Sequence, residues 1–399
     1  MNRQTAATYK RGALFVLPVL AIVGCRVGLR ACVFLAKDAD MRQSRIVDDG
    51  RLAEAQRQAE IANASATQDQ KQRAVARSAP SAAAGWQAKP IASAQQVPDA
   101  LAVDANWVAW LATRSGDVVV APRAGGAPRV VAKAQKLPLR RHVQGLALGG
   151  GYVHWITAGK DDDDGAVMRA KLDGGDPETL ISGVGGLAAI AVDDKNVYFA
   201  RALATSREED GAATGGVWRL PTGKAEAKLV VAAERPCAIA LDDKAVYAAE
   251  TLQIWRAPKS GGAPKAIVSG GDRLGCSIAV DEKFLYWTIP GDDSLMRAKK
   301  ADGSSPSALA FLRKRPWNVV VDRGYAYALT ETSPQAFGEL GSVFRVPLRA
   351  EVGTQAAIPE AVVVDRIGLN SVAASAGFVV FADYNESESD GTITAATHD

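Results

Sequence analysis

Two cysteines are the residues of this chain whose type and position most directly suggest chemistry. Cys237 and Cys276 each stand immediately before one copy of a similar eleven-residue stretch, "AIALDDKAVYA" and "SIAVDEKFLYW". If neighbouring copies form neighbouring strands, the two Cα atoms can come within the roughly 4.4 to 6.8 Å that a disulfide requires. Two buried free thiols fit the pattern as well. No histidine is near either cysteine in sequence, which argues against a catalytic thiol.

Other signals for catalysis or metal binding are weak. The histidines, His142, His154 and His398, are scattered, and the chain has no HExxH, no GxSxG and no glycine-rich phosphate loop. The run Asp161 to Asp164 is more typical of a solvated loop than of a calcium site. We therefore predict no catalytic residue, no metal site and no cofactor.

The elements that would position these residues follow from an internal repeat. The eleven-residue pattern occurs seven times, with copies that begin at Ala100, Gly145, Ala189, Ala238, Ser277, Asn318 and Ser371. The mean period is about 45 residues, close to one four-stranded propeller blade. Each copy has an apolar stretch, a polar turn and an aromatic-rich stretch, followed by further short alternating segments. These features predict β-strands.

The repeat predicts an all-β fold, a seven-bladed β-propeller, with six or eight blades as alternatives. The third position of the copies is small or β-branched, as the crowded axis of a propeller requires: Ala102, Ala147, Ala191, Ala240, Ala279, Val320 and Ala373. The last copy has room for only three strands before Asp399. "AKPIASAQQ" at 88–96 resembles a fourth strand, so an N-terminal strand should close the ring and cover an exposed sheet edge.

The stretch "SIAVDEKFLYWTIPGDDSLMRAKKADG" resembles a YWTD repeat of the low-density-lipoprotein-receptor type and an NHL repeat. The resemblance covers about residues 88–399, and the whole pattern is similar to exported propeller proteins common in myxobacteria and their relatives. It implies the propeller fold and leaves function open, because propellers include both binding proteins and enzymes. The chain departs from the usual pattern, since such propellers commonly have six blades and Thr288 is followed by Ile289 rather than by an acidic residue.

Charge is sorted by loop type. Loops that lead from the fourth strand of one blade to the first strand of the next are basic, whereas loops between second and third strands are acidic ("KDDDDG", "SREEDG", "PGDD", "NESESDG"). Both loop types emerge on one face of a propeller, which predicts a basic funnel inside an acidic collar that attracts an anionic ligand. Ordinary solvated loops are the simpler interpretation. The candidate ligand-binding residues are Arg140, Arg141, His142, Arg235, Arg273, Arg315, Trp317 and Arg366.

The N-terminal region predicts export. Residues 1–36 contain basic residues, an apolar run and the lipobox-like Ile22-Val23-Gly24-Cys25, so Cys25 is a candidate lipidation site. An uncleaved anchor and a plain cleaved signal are the alternatives. Residues 37–87 are polar and alanine-rich, which predicts a flexible or partly helical linker. Residues 88–399 form the predicted propeller domain.

The charge balance excludes one class of partner. With 47 basic and 44 acidic residues, the formal charge of +3 is far from that of a dedicated nucleic-acid binder. We expect a monomeric, membrane-tethered binding module in the periplasm or at the cell surface, without catalysis, that engages a cell-envelope protein or an anionic glycan. The alternative function is a metal-dependent lactonase or lyase acting in the central funnel, where Asp99 and Asn370 would be adjacent.

Overall fold

A computed structural model describes residues 85–137, 144–158, 164–202, 215–222, 226–270, 272–312, 314–331, 340–349, 356–385 and 390–398. The predicted anchor, with Cys25, and nearly all of the predicted linker are outside these residues. Within the described residues, no helix is long and apolar enough to cross a bilayer.

The strands form seven four-stranded antiparallel sheets, which confirms the seven-bladed propeller over the six- and eight-bladed alternatives. Blade 1 contains β2 (Pro98–Val103), β3 (Trp107–Ala112), β4 (Asp117–Pro122) and β5 (Arg129–Ala132). Blade 2 contains β6 (Leu146–Gly149), β7 (Tyr152–Thr157), β8 (Ala166–Lys171) and β9 (Glu178–Ser182). Blade 3 contains β10 (Leu187–Val192), β11 (Asn196–Arg201), β12 (Gly216–Pro221) and β13 (Lys228–Ala232).

The next blades repeat the same order. Blade 4 contains β14 (Ala238–Leu241), β15 (Ala245–Ala249), β16 (Gln253–Pro258) and β17 (Lys265–Ser269). Blade 5 contains β18 (Ile278–Val280), β19 (Phe284–Ile289), a 3₁₀ turn (Pro290–Asp292), β20 (Ser294–Lys299) and β21 (Ser307–Phe311). Blade 6 contains β22 (Arg315–Asp322), β23 (Tyr325–Glu331), β24 (Leu340–Pro347) and β25 (Glu360–Ile367).

Blade 7 joins the two ends of the propeller. It contains β26 (Ser371–Ser375), β27 (Phe378–Asn385) and β28 (Asp390–His398), and its outer strand is β1 (Trp86–Gln95). β1 pairs antiparallel with β28 from Trp86 opposite His398 to Gln95 opposite Gly391. The predicted closure by the segment 88–96 is therefore confirmed, and β1 covers an edge that would otherwise be unpaired.

The innermost strands form a closed ring, since each of β2, β6, β10, β14, β18, β22 and β26 contacts the next and β26 contacts β2. The apolar core is divided into seven parts, each between two neighbouring blades. Trp155, Tyr247 and Phe381 are among the largest side chains that are fully buried there. Each blade alone would leave these faces in water, so the ring is the smallest unit that buries them.

The most repeated residues of the chain hold this ring together at one end. In blades 1, 3, 4 and 5 the fifth residue of the copy is an aspartate whose Oδ1 accepts hydrogen bonds from backbone N–H groups in the turn, as Asp242 does from Lys244 at 2.8 Å and Ala245 at 2.7 Å. Its Oδ2 accepts a hydrogen bond from the hydroxyl of Tyr247, the tenth residue, at 3.0 Å. Lys300 of the next blade pairs with the same Oδ2 at 2.6 Å. In blade 4 the repeated turn motif is thus also a link to blade 5.

The copies in blades 3 and 5, on either side of blade 4, have the same aspartate–tyrosine pair. The tyrosine hydroxyl lies 3.3 Å from Asp193 Oδ2 in blade 3 and 2.6 Å from Asp281 Oδ2 in blade 5. Lys259 of blade 4 pairs with Asp193 at 2.7 Å. The aspartates, tyrosines and lysines occupy the end of the propeller where inner strands run into second strands, which we call the turn face.

Candidate functional site

The opposite end of the propeller, which we call the loop face, contains the connections that lead into the inner strands and those between second and third strands. The two connection types touch each other there. Leu274 donates its backbone N–H to Thr251 O at 2.8 Å, and Leu312 donates to Asp293 O at 2.7 Å. The connections into blades 5 and 6 therefore share one face with the connections between second and third strands of blades 4 and 5.

A disulfide joins two blades on the loop face. Cys237 and Cys276 are bonded, with Cα atoms 5.3 Å apart, and each cysteine directly precedes the inner-strand region of its blade. The backbone N–H of Cys237 also donates to Ala249 O at 2.8 Å, which fixes the cysteine to the second strand of blade 4. Of the two alternatives for these cysteines, the structure shows the bonded one.

Three of the candidate arginines lie where the chain enters blades 4, 5 and 6, and we call Arg235, Arg273 and Arg315 the arginine arc. Arg235 and Arg273 lie on connections, whereas Arg315, predicted to lie in a loop, is the first residue of β22. Arg235 is two residues before Cys237, and Arg273 is three residues before Cys276. Both side chains are exposed, while Pro236 and Leu274 beside them are buried. The chain is thus anchored next to each arginine, and the guanidinium remains in solvent.

Glu250 fixes the local path of the chain at Arg235. Its Oε1 accepts a hydrogen bond from the backbone N–H of Arg235 at 2.8 Å, and its Oε2 accepts one from Trp255 Nε1 at 2.9 Å. One carboxylate therefore ties the connection into blade 4 to the third strand of the same blade. Such charge-assisted hydrogen bonds are stronger than neutral ones, so Arg235 is held in a defined position.

Arg315 and Trp317 lie together at the start of β22. The guanidinium carbon of Arg315 is 5.3 Å from the centroid of the Trp317 ring, within cation–π range. Arg315 also lies opposite Glu331 in the pairing of β22 with β23. Both Arg315 and Trp317 are half-buried, in contrast to Arg235 and Arg273.

Arg366 differs from the arginine arc. It is exposed near the end of β25, but its Nε lies 3.5 Å from Asp383 Oδ2 of blade 7 and its guanidinium is 5.7 Å from the Phe381 ring. Burial raises the pKa of Asp383, and the positive charge of Arg366 opposes that rise. Arg366 therefore compensates a partly buried carboxyl of the neighbouring blade.

The other predicted binding residues, Arg140, Arg141 and His142, are outside the described residues, as is most of the predicted acidic collar. The described part of that collar is the 3₁₀ turn Pro290–Asp292 with Asp293, and Asp164. The basic funnel and its acidic rim remain predictions at these positions.

An axial channel lies inside the ring of inner strands, with a cavity of about 310 Å³. Asp99, Gln144, Asn318 and Asn370 line its loop-face end. Several of these polar groups hold blades together: Gln144 Oε1 accepts from Ile239 N at 3.0 Å, and Asn370 Nδ2 donates to Pro98 O at 3.2 Å. Among the described residues there is no group of three or more His, Cys, Asp or Glu side chains arranged to hold a metal ion.

No protein-family model matches the chain, and no curated protein matches its sequence. Solved structures do match its fold. A streptogramin B lyase is 12% identical, with a TM-score of 0.52, and the match covers 79% of this chain and 98% of the lyase chain. A catalytically inactive virginiamycin B lyase from Staphylococcus aureus, solved with quinupristin, is also 12% identical with a TM-score of 0.52, covering 78% and 98%.

A chain of a nidogen–laminin complex is 15% identical with a TM-score of 0.44, and the match covers 59% of this chain and 87% of that chain. At these identities the likeness to the two lyases shows the fold alone. The seven blades and their repeat fit a YWTD- or NHL-like propeller. A propeller fold by itself does not decide between catalysis and binding.

Sequence reasoning missed the aspartate–tyrosine–lysine links of the turn face, although a signal for them was present. Tyrosine occurs at the tenth position of the copies that begin at 189, 238, 277 and 318, and each of these copies has aspartate at the fifth position. Burial raises the pKa of the Asp242 carboxyl, but its hydrogen bonds, first that to Lys300, outweigh burial and lower the pKa to about 2. Burial, and the hydrogen bond to Asp242, raise the pKa of Tyr247 to about 12. The pair is therefore a carboxylate and a neutral phenol throughout the neutral pH range.

His154 replaces the tyrosine in blade 2. Its side chain is 3% exposed and lies opposite Arg169 in the pairing of β7 with β8. Burial, and then the charge of Arg169, lower the pKa of His154 to about 4. The residue is a neutral member of the inter-blade packing at pH 7, and neither metal binding nor catalysis is needed to explain it.

Proposed function

We propose that this protein is a non-enzymatic binding module that engages an anionic ligand, either an anionic glycan or the acidic surface of a cell-envelope protein, through the loop face. The arginine arc and Trp317 form the described part of the binding surface. Arg140, Arg141, His142 and Arg366 are the other residues that the sequence predicts for this site.

The observation that carries this proposal is the placement of three arginines on three successive blades of one face. Arg235 and Arg273 are exposed and anchored by buried neighbours, and the disulfide holds their two connections together. Like charges that converge on one concave end raise the local concentration of an anionic ligand. Trp317, with Arg315 beside its ring, supplies an aromatic face for a sugar or an aromatic group.

Export is part of the same proposal. A disulfide persists in an oxidising compartment and is rare in the cytosol, so the bond between Cys237 and Cys276 supports a periplasmic or cell-surface location. We propose that the N-terminal region directs export and that Cys25 carries a lipid that tethers a monomeric propeller to a membrane. Cys25→Ser should shift the protein from the membrane fraction to the soluble fraction. An unchanged membrane fraction would leave the uncleaved anchor as the explanation.

The binding surface is tested by charge reversal on the two faces. Arg235→Glu with Arg273→Glu should lower the salt concentration at which the protein elutes from a sulfated-glycan column such as heparin. Lys244→Glu with Lys283→Glu makes the same charge change at exposed positions on the turn face. If both double variants elute alike, general charge explains retention and the proposed surface is wrong.

A second arm separates the two ligand classes. Envelope extracts are passed over the immobilised protein with and without a glycan-degrading enzyme, and the two double variants serve as comparison. Loss of capture after glycan removal assigns a glycan, and retention of an acidic protein assigns a protein partner.

The alternative, a metal-dependent lactonase or lyase in the funnel, would need ligands turned into the channel. Asn370 Nδ2 already donates a hydrogen bond to the backbone of another blade there, and Gln144 Oε1 already accepts one. Metal analysis of the purified protein tests this alternative directly, because a stoichiometric divalent ion would favour it over the binding module.

A further inference from the structure

A cleft between blades 3 and 4 opens on the loop face, apart from the axial channel. Its volume is about 530 Å³, and its residues lie at or near the loop-face ends of β12, β13 and β16 and on the connection into blade 4. The wall on the side of blade 3 consists of small residues, Gly215, Ala232 and Ala233. The opposite wall contains Glu250, Gln253 and Trp255, and Glu234 lies on the connection. Small residues opposite a large ring leave an open slot.

Trp255 contributes its ring to this cleft because its neighbours in the sheet are small. The residues opposite Trp255 are Ala248 in β15 and Ala266 in β17. Trp218 has the same position in blade 3, and there a phenylalanine and a leucine lie opposite it. Side chains of opposite residues project from the same face of a sheet and contact each other, so the two alanines leave more of the indole accessible.

Glu250 fixes the orientation of this ring. Trp255 Nε1 donates to Glu250 Oε2 at 2.9 Å, and the other oxygen of the carboxylate accepts the backbone N–H of Arg235 at 2.8 Å. Both oxygens of Glu250 are therefore engaged, and this carboxylate orients the indole rather than receiving a ligand. The same two bonds place Arg235 of the arginine arc next to the cleft.

Two polar side chains of the cleft are available to a ligand. Within the part of the chain that the structure describes, the Gln253 amide and the Glu234 carboxylate have no side-chain partner. The amide both donates and accepts hydrogen bonds and the carboxylate accepts them, so together they can pair with hydroxyl groups. None of the described lining residues is basic. Because Glu234 is exposed, its attraction for a cation is weak. The cleft thus favours a neutral, hydroxyl-rich group.

We infer that the cleft between blades 3 and 4 binds a neutral hexopyranose unit of a glycan. The C–H face of the sugar ring stacks on the indole of Trp255, whose electron-rich face attracts polarised C–H groups. The Gln253 amide and the Glu234 carboxylate pair with the sugar hydroxyls. A cleft of about 530 Å³ holds about 18 groups of the size of a water molecule, which is room for one hexose and part of its hydration shell.

This inference rests on the proposed function in one respect, since it selects the glycan from the two classes of anionic ligand. The neutral sugar lies in the cleft, and an anionic group on the adjoining unit reaches Arg235.

The cleft is tested with the full-length protein and neutral methyl glycosides of glucose, galactose, mannose and N-acetylglucosamine, by saturation-transfer NMR. At least one glycoside should bind, with the strongest saturation on the C–H protons of one ring face. If none binds, the inference is wrong. Binding of n-butylguanidinium without binding of any glycoside would also overturn it, because the cleft would then be a cation site.

Variants locate the site with the glycoside that binds. Trp255→Leu removes the aromatic face and Gln253→Ala removes a hydrogen-bonding group, and each should weaken binding by about tenfold. Ala232→Tyr should abolish binding by filling the slot, at an exposed residue where the fold tolerates a larger side chain. Ser182→Tyr is its matched control, because Ser182 is exposed and pairs with the first residue of β8 as Ala232 pairs with that of β12. If Ala232→Tyr and Ser182→Tyr bind alike, the cleft is not the site.

Failure of this inference can be distinguished from failure of the proposed function. Arg235→Glu with Arg273→Glu should bind the neutral glycoside as the wild type does and elute earlier from heparin. Earlier elution from heparin in a protein that binds no glycoside refutes the cleft alone. Normal glycoside binding in a double variant that elutes from heparin like the wild type refutes the arginine arc, and with it the glycan that spans both.

Discussion

The two faces of the propeller differ in how they use the repeat. On the turn face, the same aspartate, tyrosine and lysine recur, and ion pairs of Asp193 with Lys259 and of Asp242 with Lys300 link blade 3 to blade 4 and blade 4 to blade 5. On the loop face the connections vary. Only residues 250–252 separate β15 from β16, whereas residues 202–215 separate β11 from β12. Repetition therefore marks residues that link blades, and the variable face is the one on which we propose that a ligand binds.

A second contrast lies within the turn face itself. Blade 2 has Gly149 at the fifth position and His154 at the tenth, so both members of the pair are replaced together. A Cβ atom at Gly149 would lie 2.6 Å from Val192 Cγ2, which leaves no room for an aspartate. In blade 6, Asp322 turns to blade 7 and accepts hydrogen bonds from the backbone N–H groups of Ala376 and Gly377 at 2.9 and 2.6 Å. The link between blades is retained with different partners.

The largest expected effect comes from the one covalent link on the loop face. Reduction of the disulfide, or Cys237→Ser with Cys276→Ser, should lower the free energy of unfolding by about 4 kcal/mol, as loop closure over a sequence separation of 39 residues predicts. Urea unfolding with and without a reductant measures the loss. If the wild type unfolds at the same urea concentration in both conditions, the loop face contributes no cross-link that stabilises the ring.

The next largest effect is the pH dependence of stability that we expect from His154 in blade 2. Because the pKa of His154 is lowered in the folded protein to about 4, below the 6.5 of the unfolded chain, protonation favours unfolding. Stability should be fully present above about pH 6.5 and fall as the pH drops to about 4, by about 3 kcal/mol in total. His154→Phe should remove this part of the pH dependence in urea unfolding at pH 7 and pH 4.5. An unchanged pH dependence in His154→Phe would contradict the assignment.

A smaller loss is expected in the regular part of the turn face. Asp242→Asn keeps an oxygen that can accept the hydrogen bonds of the turn but loses the ion pair with Lys300. The free energy of unfolding should therefore fall by about 2 kcal/mol at pH 7. Because the pKa of Asp242 is lowered on folding, this stability is present above about pH 3.8 and disappears as the pH falls to about 2.

Asp104→Asn is the matched control for that change. Asp104 makes the same turn, accepting from Asn106 and Trp107 at 2.8 and 2.7 Å, but the tenth residue of its copy is Ala109. The difference between the two variants isolates the contribution of the tyrosine and lysine. Equal losses in Asp242→Asn and Asp104→Asn would show that only the turn matters.

The smallest expected effect on stability is at the arginine arc. Arg273→Glu should change the free energy of unfolding by less than about 0.5 kcal/mol, because its exposed side chain lies away from the buried links. The same variant should weaken retention on a sulfated-glycan column. A large loss of stability would break the division between a structural face and a binding face.

Much of the architecture could be predicted from particular residues. The alanines at the third position of the copies and the period of about 45 residues indicate blades around a narrow axis, and the segment 88–96 corresponds to β1, which the structure pairs with β28. The sequence allowed both a disulfide and two free thiols, because the separation of Cys237 and Cys276 in sequence does not show how closely their two connections approach in space. Asp242 and Tyr247 meet within one hairpin of blade 4, but Lys300 is 58 positions from Asp242 and becomes its neighbour only when blades 4 and 5 pack.

By itself, the sequence determined the class of fold and the strand that closes the ring, because periodic hydrophobic and turn residues encode local strands whose faces must be buried. Its seven copies predicted seven blades, and the structure decided against the alternatives of six and eight. Only the tertiary structure decided which charges are committed to the scaffold and which remain on the surface. Arg366 and Arg273 have the same side chain and were both predicted to lie in connections, but Arg366 lies in β25, against Asp383 and Phe381. A charged side chain acquires its role from the groups packed around it, and those groups come from distant parts of the chain.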